Sequence, residues 1–512
     1  MYKKQFYLLF LNLSSKKIEV GIIIRIKYFL PRIIFIIIIS GLGTSFIVMP
    51  FFIIYSCPPV PPIDWTKIWG GTHQEIMYDM VVDSSKDIFI AGEIWNDNNS
   101  SNDIFILKIN ESLNYNETWG DQLLEEFCGM VLDAKDNIFV AGTSESYLPS
   151  AKEVFLLKYS NNLTLNWFIN WSGTGIDSCT SIAVDSQDNI YITGTMNYPN
   201  NDVFLVKYNN SGIIQWNRTW TTGFLNISEE ALSLVIDSKD QLFLSVKTNF
   251  TGSEWFLLKY DFFGNLLLNA SYNKYLPLEQ LVLDSADNLY AVGTVNDAYL
   301  TKFDNNGNLQ WNLTCIQEIL LGTESIKIDR SDNIYITGNE LIDASAILDG
   351  YNMIDYDTYL MKFNNAGVLQ WNKTISYANN LYLEILAFDP LGNIYLGGSL
   401  EMIAPGSLSY TIRIYDHLGN RKRSEGGGCN YGDGVCKGIY AESPNGFIAA
   451  INSPCYNKEN YDIELTKYIE PDYGHCPPLP NPWLMLILPI ALNSVFIIIG
   501  ISYLIIKDKK RR

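Results

Sequence analysis

Histidine is almost missing from this chain: three occur in 512 residues, at His73, His417 and His475. They are scattered, so no Ser/His/Asp set can be put together from them and a triad hydrolase is not expected. Cysteine is sparse too. The eight residues, Cys57, Cys128, Cys179, Cys315, Cys429, Cys436, Cys455 and Cys476, include neither a CxxC pair nor two adjacent thiols. Such spacing gives no support to a zinc or thioredoxin-type site and leaves disulfides as the expected role. Basic charge is the third scarcity, with 36 Lys and Arg against 55 Asp and Glu. Seven basic and one acidic residue precede Ile33, and five basic and one acidic follow Ile506, so the stretch between holds 24 against 53. A surface of that sign repels phosphate backbones, which argues against nucleic acid as a partner.

Charge is wholly absent from two long runs, Ile33 to Ile54 and Trp483 to Ile506, of 22 and 24 residues. Each is long enough to span a hydrocarbon core of roughly 30 Å as a helix. Residues 33–56 and 483–506 are therefore expected to be transmembrane helices, with lipid as a partner. The basic leader 1–32 and basic tail 507–512 are then cytoplasmic by the positive-inside tendency. Proline-rich stalks, 57–63 and 471–482, would connect the helices to an extracellular body at 64–470. The expected location is a cell membrane, crossed twice, with both termini inside. A cleaved signal peptide is the weaker reading of the first run, because the leader is long and no small-residue cleavage site follows.

Between these runs one strand-rich pattern recurs eight times. Its marker is an acidic turn followed by a β-run: DSSKDIFIAG at Asp83, DAKDNIFVAG at Asp133, DSQDNIYITG at Asp185 and DSKDQLFLSV at Asp237. DSADNLYAVG at Asp284, DRSDNIYITG at Asp329, DPLGNIYLGG at Asp389 and a degraded ESPNGFIAA at Glu442 complete the series. The spacings of 50, 52, 52, 47, 45, 60 and 53 residues suit a propeller blade. Each repeat reads as four strands, the third ending in FLLKY-like segments and the fourth carrying Trp167, Trp216, Trp311 or Trp371. The last repeat lacks a fourth strand, and a spare one, DWTKIWGG, begins at Asp64. Pairing the two removes an open sheet edge. The expected fold is all-β, an eight-bladed β-propeller (seven if the Glu442 repeat is discarded) with one transmembrane helix at each end.

The acidic turns invite a calcium reading, but Asp and Asn at these places cap tight turns by accepting or donating locally. An EF-hand-like loop needs more acidic ligands at alternating positions. No metal and no cofactor is expected. Thirteen N-x-S/T sequons fall between the apolar runs, several on the fourth strand, where a glycan can be solvated. Asn116, Asn170, Asn217, Asn312 and Asn372 are the glycosylation candidates. Cys57 and Cys476 stand in matching contexts, SCPPVPP and HCPPLPNP, and are expected to pair as a disulfide across the two stalks.

Segments such as DSQDNIYITGT…FLVKYNNSGIIQWN resemble the β-propeller repeats of prokaryotic cell-surface proteins known as SBBP-type repeats. The resemblance covers about Asp64 to Tyr468 and implies a surface module without catalytic residues. The Gln-Trp strands are also similar to the tryptophan-docking repeats of quinone-dependent dehydrogenases, but the adjacent cysteines of those enzymes are absent. The expected function is thus a membrane-anchored extracellular module binding surface glycans or proteins. A structural or accessory subunit of a cell-envelope complex is the alternative, and a propeller-scaffold hydrolase or lyase the remote one. The long connection from Asn339 to Asp357 is the expected ligand region, through Asp343, Asp349, Tyr351, Asp355, Tyr356 and Asp357, a mix suited to cation or glycan contact. Oligomeric state is left open.

Overall fold

The computed structural model describes residues 7–9, 19–24, 33–42 and 45–54, and residues 63–469 apart from short connections at 71–72, 97–100, 111–113, 121–122, 146–151, 174, 198–200, 225–226, 250–253, 317–321, 349–350, 377–379, 402–407, 428–433, 444–445 and 454–461. The chain divides into two compact bodies, Met1–Pro61 with Pro471–Arg512, and Pro62–Glu470.

The larger body is built from four-stranded antiparallel modules in a propeller-type repeat fold. In the third module the strands are Ile176–Val184, Ile190–Asn197, Asn201–Tyr208 and Ile214–Trp220, each paired with the next in sequence. The same order recurs over 74–119, 125–171, 229–272, 280–316, 323–375 and 381–427. An eighth module combines Val435–Ser443, Gly446–Ser453 and Asp462–Ile469 with Ile63–Trp69 from the far end of the chain. That last pairing is antiparallel and sets Lys467 opposite Trp65 and Tyr468 opposite Ile63.

Burial follows the sequence pattern. The second strand of the third module, IYITGTMN, is buried over its first five residues, as a strand covered on both faces must be. The fourth strand, IQWNRTW, alternates exposed and half-buried positions because only one face meets protein. Apolar side chains of adjacent modules interlock in separate clusters. One joins Tyr191, Val203 and Leu205 of the third module to Leu234, Leu244 and Leu258 of the fourth. Another joins the first module to the last, through Met77, Ile90, Phe105, Ile448 and Leu465.

Two expectations are corrected here. The apolar run at 33–54 is a β-hairpin, Ile33–Leu42 paired with Ser45–Ile54, inside a four-stranded sheet. No helix among the described residues is long and apolar enough to cross a membrane. The physical reason lies in the residues that make the run apolar. Six isoleucines between Ile33 and Ile39 lose rotamer freedom in a helix and fit a pleated surface. Gly41 and Gly43 then divide the run into two halves that can fold back on each other. The run at 483–506 lies outside the described residues. The two-pass location, with the repeat body outside and both termini in the cytoplasm, rested on those helices and falls with them. Nor do the repeats form eight separate blades in one propeller. The second and third modules share one eight-stranded sheet, joined by a parallel pairing of Lys152 with Ile176, where the third strand of one module meets the first strand of the next.

Candidate functional site

The repeated turns explain how neighbouring modules hold each other, and the seam between the two chain ends departs from the common pattern. In each acidic turn the first Asp accepts hydrogen bonds from amides two and four residues on; Asp185 does so from Gln187 at 2.9 Å and Asn189 at 2.8 Å. The fourth residue takes a left-handed conformation, as at Asp136, Asp188, Asp240, Asp287 and Asp332 with φ between 58° and 62°. Its carboxylate then reaches the turn of the preceding module. Ser186 donates to Asp240 from its amide at 3.0 Å and its hydroxyl at 2.8 Å. Ser84 with Asp136, Ser238 with Asp287 and Ser285 with Asp332 repeat the contact.

A second staple uses the turn between the third and fourth strands. Lys207 and Trp216 converge on one carbonyl of the following module's turn, Phe262 O, at 3.3 and 3.1 Å. Lys108, Lys158, Lys302 and Lys362 likewise donate to Asn161, Asn210, Asn365 and His417 carbonyls. A glycine of that turn lies on the preceding module's tryptophan. Gly264 has a φ of 78°, and a Cβ there would sit 2.8 Å from the Trp216 ring. Gly212, Gly367 and Gly419 lie on Trp167, Trp311 and Trp371 in the same manner. The bonds linking these turns also place the first-to-second and third-to-fourth connections on one face, since Asn161 donates to Asp83 at 2.7 Å and Asn210 to Asp133 at 2.9 Å.

The seam between the last module and the first is built differently, with Lys67 donating to the Asn110 carbonyl of the first module. Lys86 occupies the fourth turn position where five other modules carry Asp, and its ammonium lies 3.1 Å from Glu442. The first module's third-to-fourth turn is also shorter: Lys108 pairs with Tyr115, whereas Lys207 pairs with Trp216 and Lys302 with Trp311. Two residues are thus missing, and no glycine stands between Ile109 and Tyr115. Trp65, which holds the place of Trp216, is left with a buried indole N–H that has no hydrogen-bond partner. A cavity of about 310 Å³ opens there, lined by Trp65, Ser85, Lys86, Tyr440, Glu442 and Lys467 among others.

The electrostatics of the pocket are those of locked pairs. Burial works to raise the Glu442 carboxyl, but hydrogen bonds and charge from Lys86 and Lys467 outweigh it and hold the group below its ordinary value. The hydrogen bond to Glu442 raises Lys86 in turn. Lys467 lies 3.5 Å from Glu442 and 3.7 Å from Asp64.

The ligand region expected from sequence takes a different form. Asn339 to Asp357 is not an open loop: Ile334–Leu348 and Tyr351–Phe363 continue as a long hairpin arm, with Asp343 opposite Asp355 and Leu348 opposite Tyr351. Asp349 lies outside the described residues. The Tyr356 ring lies 5.8 Å from that of Tyr382 at a tilt of 45°, and its amide donates to Asn380 at 3.0 Å. Asp357 is buried and accepts from the Ser376 hydroxyl. Cys57 and Cys476 also fall outside the described residues. A disulfide joins Cys128 to Cys179, with Cα atoms 5.8 Å apart, and ties the second module to the third. Asn116, Asn170, Asn217, Asn312 and Asn372 are all exposed on fourth strands, although the Asn312 amide donates to Tyr275 O at 3.1 Å. Sequence reasoning passed over Trp65, Lys86, Glu442 and Lys467. Two signals could have found them: Lys86 standing where Asp recurs, and the shorter spacing from Lys108 to the fourth strand.

A family model described as a beta-propeller repeat matches residues 170–197, from the fourth strand of the second module into the second strand of the third. The chain is similar to an uncharacterized WD repeat-containing protein, L264, of Acanthamoeba polyphaga mimivirus, with 24% identity over 125 residues. That match covers 22% of this chain and 9% of the viral protein, so the chain spans under a tenth of its relative's length. Among solved structures, Sqt1 from Chaetomium thermophilum aligns with a TM-score of 0.50 at 10% identity, over 78% of this chain and 98% of that one. The Neurospora crassa Pan2 WD40 domain aligns over 67% of this chain and 89% of its own, with a TM-score of 0.41 and 8% identity. The likeness concerns fold alone.

Proposed function

We propose that this protein is a non-catalytic binding module whose ligand enters the pocket at the seam between the first and last modules. One observation carries the reading: a cavity opens at this junction beside the half-buried Trp65, lined by its ring together with Tyr440, Lys86 and Glu442. A cavity of about 310 Å³ stands at the small end of the range of roughly 300–1,000 Å³ for ligand pockets. Its contents favour recognition over chemistry. Trp65 and Tyr440 offer flat apolar surface, while Lys86 and Glu442 hold each other in their charged forms and neither is poised to move a proton near neutral pH. A protein or glycan remains the expected partner, met by hydrogen bonds and ring contact.

The test is an array of glycans and peptides probed with the full-length chain and with the Trp65→Ala and Glu442→Gln variants. Binders should be lost or weakened in Trp65→Ala while secondary structure is kept. Binders that ignore both substitutions would place the activity elsewhere and end this reading.

A further inference from the structure

We propose that the cavity between the third and fourth modules is a second binding site, separate from the seam, and that it takes a quaternary ammonium group. The local sequence makes this cavity. The fourth strand of a module ends on a tryptophan that packs against a phenylalanine on the third strand of the next. Ring centroids lie 4.6 Å apart for Trp119 and Phe155, 4.4 Å for Trp171 and Phe204, and 4.8 Å for Trp220 and Phe256. Six positions separate Trp119 from the buried Glu125, and six separate Trp171 from the buried Asp177. Trp220 stands nine before the buried Glu229, so this connection is three residues longer. It includes Gly223, left-handed at φ 78°, and Phe224, which is 62% exposed. A cavity of about 210 Å³ lies here, with Trp220, Phe224 and Phe256 among its walls.

Those walls have few hydrogen-bond donors left to offer. Thr222 directs both its amide and its hydroxyl to the Glu229 carboxylate, at 2.7 and 2.6 Å, and Thr221 adds its hydroxyl at 3.3 Å. The Gly223 amide donates to Thr221 Oγ1 and the Phe224 amide to Thr222 Oγ1. Thr248 turns its amide and hydroxyl to the Glu254 carbonyl. The Trp220 indole N–H is buried, which leaves Asn269 as the lining side chain with N–H groups to give. The half-buried Glu254 also lines the cavity, and among the described residues no hydrogen bond or ion pair engages its carboxylate. No Lys or Arg lines the space.

This chemistry selects among ligands. An anion would meet the Glu254 charge with nothing to offset it. A saccharide would need donors that are already committed inside the protein. A methylated cation needs none: aromatic faces attract it, Ile227 and the threonine methyls pack on its methyl groups, and Glu254 supplies the counter-charge. The excess of acidic over basic residues in the chain adds long-range attraction for a cation. The volume falls below the roughly 300–1,000 Å³ of pockets that enclose whole ligands, so it suits a headgroup.

Calorimetry on the full-length chain tests this with choline and with its neutral isostere, in which a tert-butyl group replaces the trimethylammonium. Choline should bind, and the isostere should bind about tenfold more weakly. Phe224→Leu keeps apolar bulk and removes the aromatic face, while Glu254→Gln keeps the shape and removes the charge. Each should weaken choline about fivefold and leave the melting temperature unchanged. Equal affinity for choline and the isostere would overturn the role of charge, and with it the proposal. Choline binding that ignores both substitutions would place the cation elsewhere and overturn the site. Failure of choline to bind, with or without capture of a saccharide, would overturn it as well.

Discussion

Lys86 and Glu442 stand 356 positions apart in sequence, yet their charged groups meet at 3.1 Å across the seam. At the same place in the turn series, four other junctions use a serine donating to an aspartate, as Ser186 does to Asp240. The seam has exchanged a neutral-to-charged hydrogen bond for an ion pair, and its stability should carry the pH signature of that change.

The Glu442 carboxyl is the stronger acid in the folded state, held below its ordinary value of 4.5. Its stabilising contribution is therefore complete above the unfolded value and is lost as pH falls through the folded one. Glu442→Gln should lower the melting temperature at pH 7, and its difference from the native chain should shrink as pH falls below about 4.5. Melts that stay parallel from pH 7 to 3 would sink the assignment.

Gly264 and Gly392 separate backbone strain from contact. Both are left-handed, with φ of 78° and 79°, but a Cβ at Gly264 meets the Trp216 ring at 2.8 Å while one at Gly392 finds its nearest atom at 3.8 Å. Gly392→Ala should cost about 1–2 kcal/mol, the conformational term alone. Gly264→Ala should cost a further 1–3 kcal/mol or so from overpacking against the ring. Urea unfolding of the two variants decides the matter, and equal costs would refute the role given to the indole.

Asp240 accepts two hydrogen bonds from Ser186 and is left-handed at φ 58°. Asp240→Ala should destabilise by about 2–4 kcal/mol, combining lost charged hydrogen bonds with strain. Asp240→Asn tolerates the conformation and keeps an acceptor, so it should cost about 1 kcal/mol or less. Indistinguishable denaturation midpoints for the two variants would show that the contact between modules contributes little.

The disulfide of Cys128 and Cys179 closes a loop with a sequence separation of 51. Non-reducing peptide mapping should recover that pair, and Cys128→Ser should lower stability by about 2–4 kcal/mol. Recovery of both as free thiols, or of either joined to another cysteine, counts against the bond.

Much of the repeat architecture was legible in the sequence because its determinants are local. Asp185 caps its turn with amides two and four residues away, and Asp133 and Asp284 repeat the geometry. The continuous apolar run of the second strands and the alternation of the fourth follow directly from what covers each face. The run at 33–54 was misread for the opposite reason. Length and absence of charge are shared by a spanning helix and a pair of apolar strands, and the isoleucines and glycines that favour pairing were given too little weight.

By itself, the sequence determined the modules, their order and their turns, because each depends on contacts within a few residues or with the next strand. Only tertiary structure decided the seam. Ile63–Trp69 had to pair with Asp462–Ile469 before Trp65 could face the first module, and the effect of the two-residue shortening after Lys108 appears only there. A short turn is a local fact; a cavity beside Trp65 is a relation between the two ends of the chain, set by which surfaces meet.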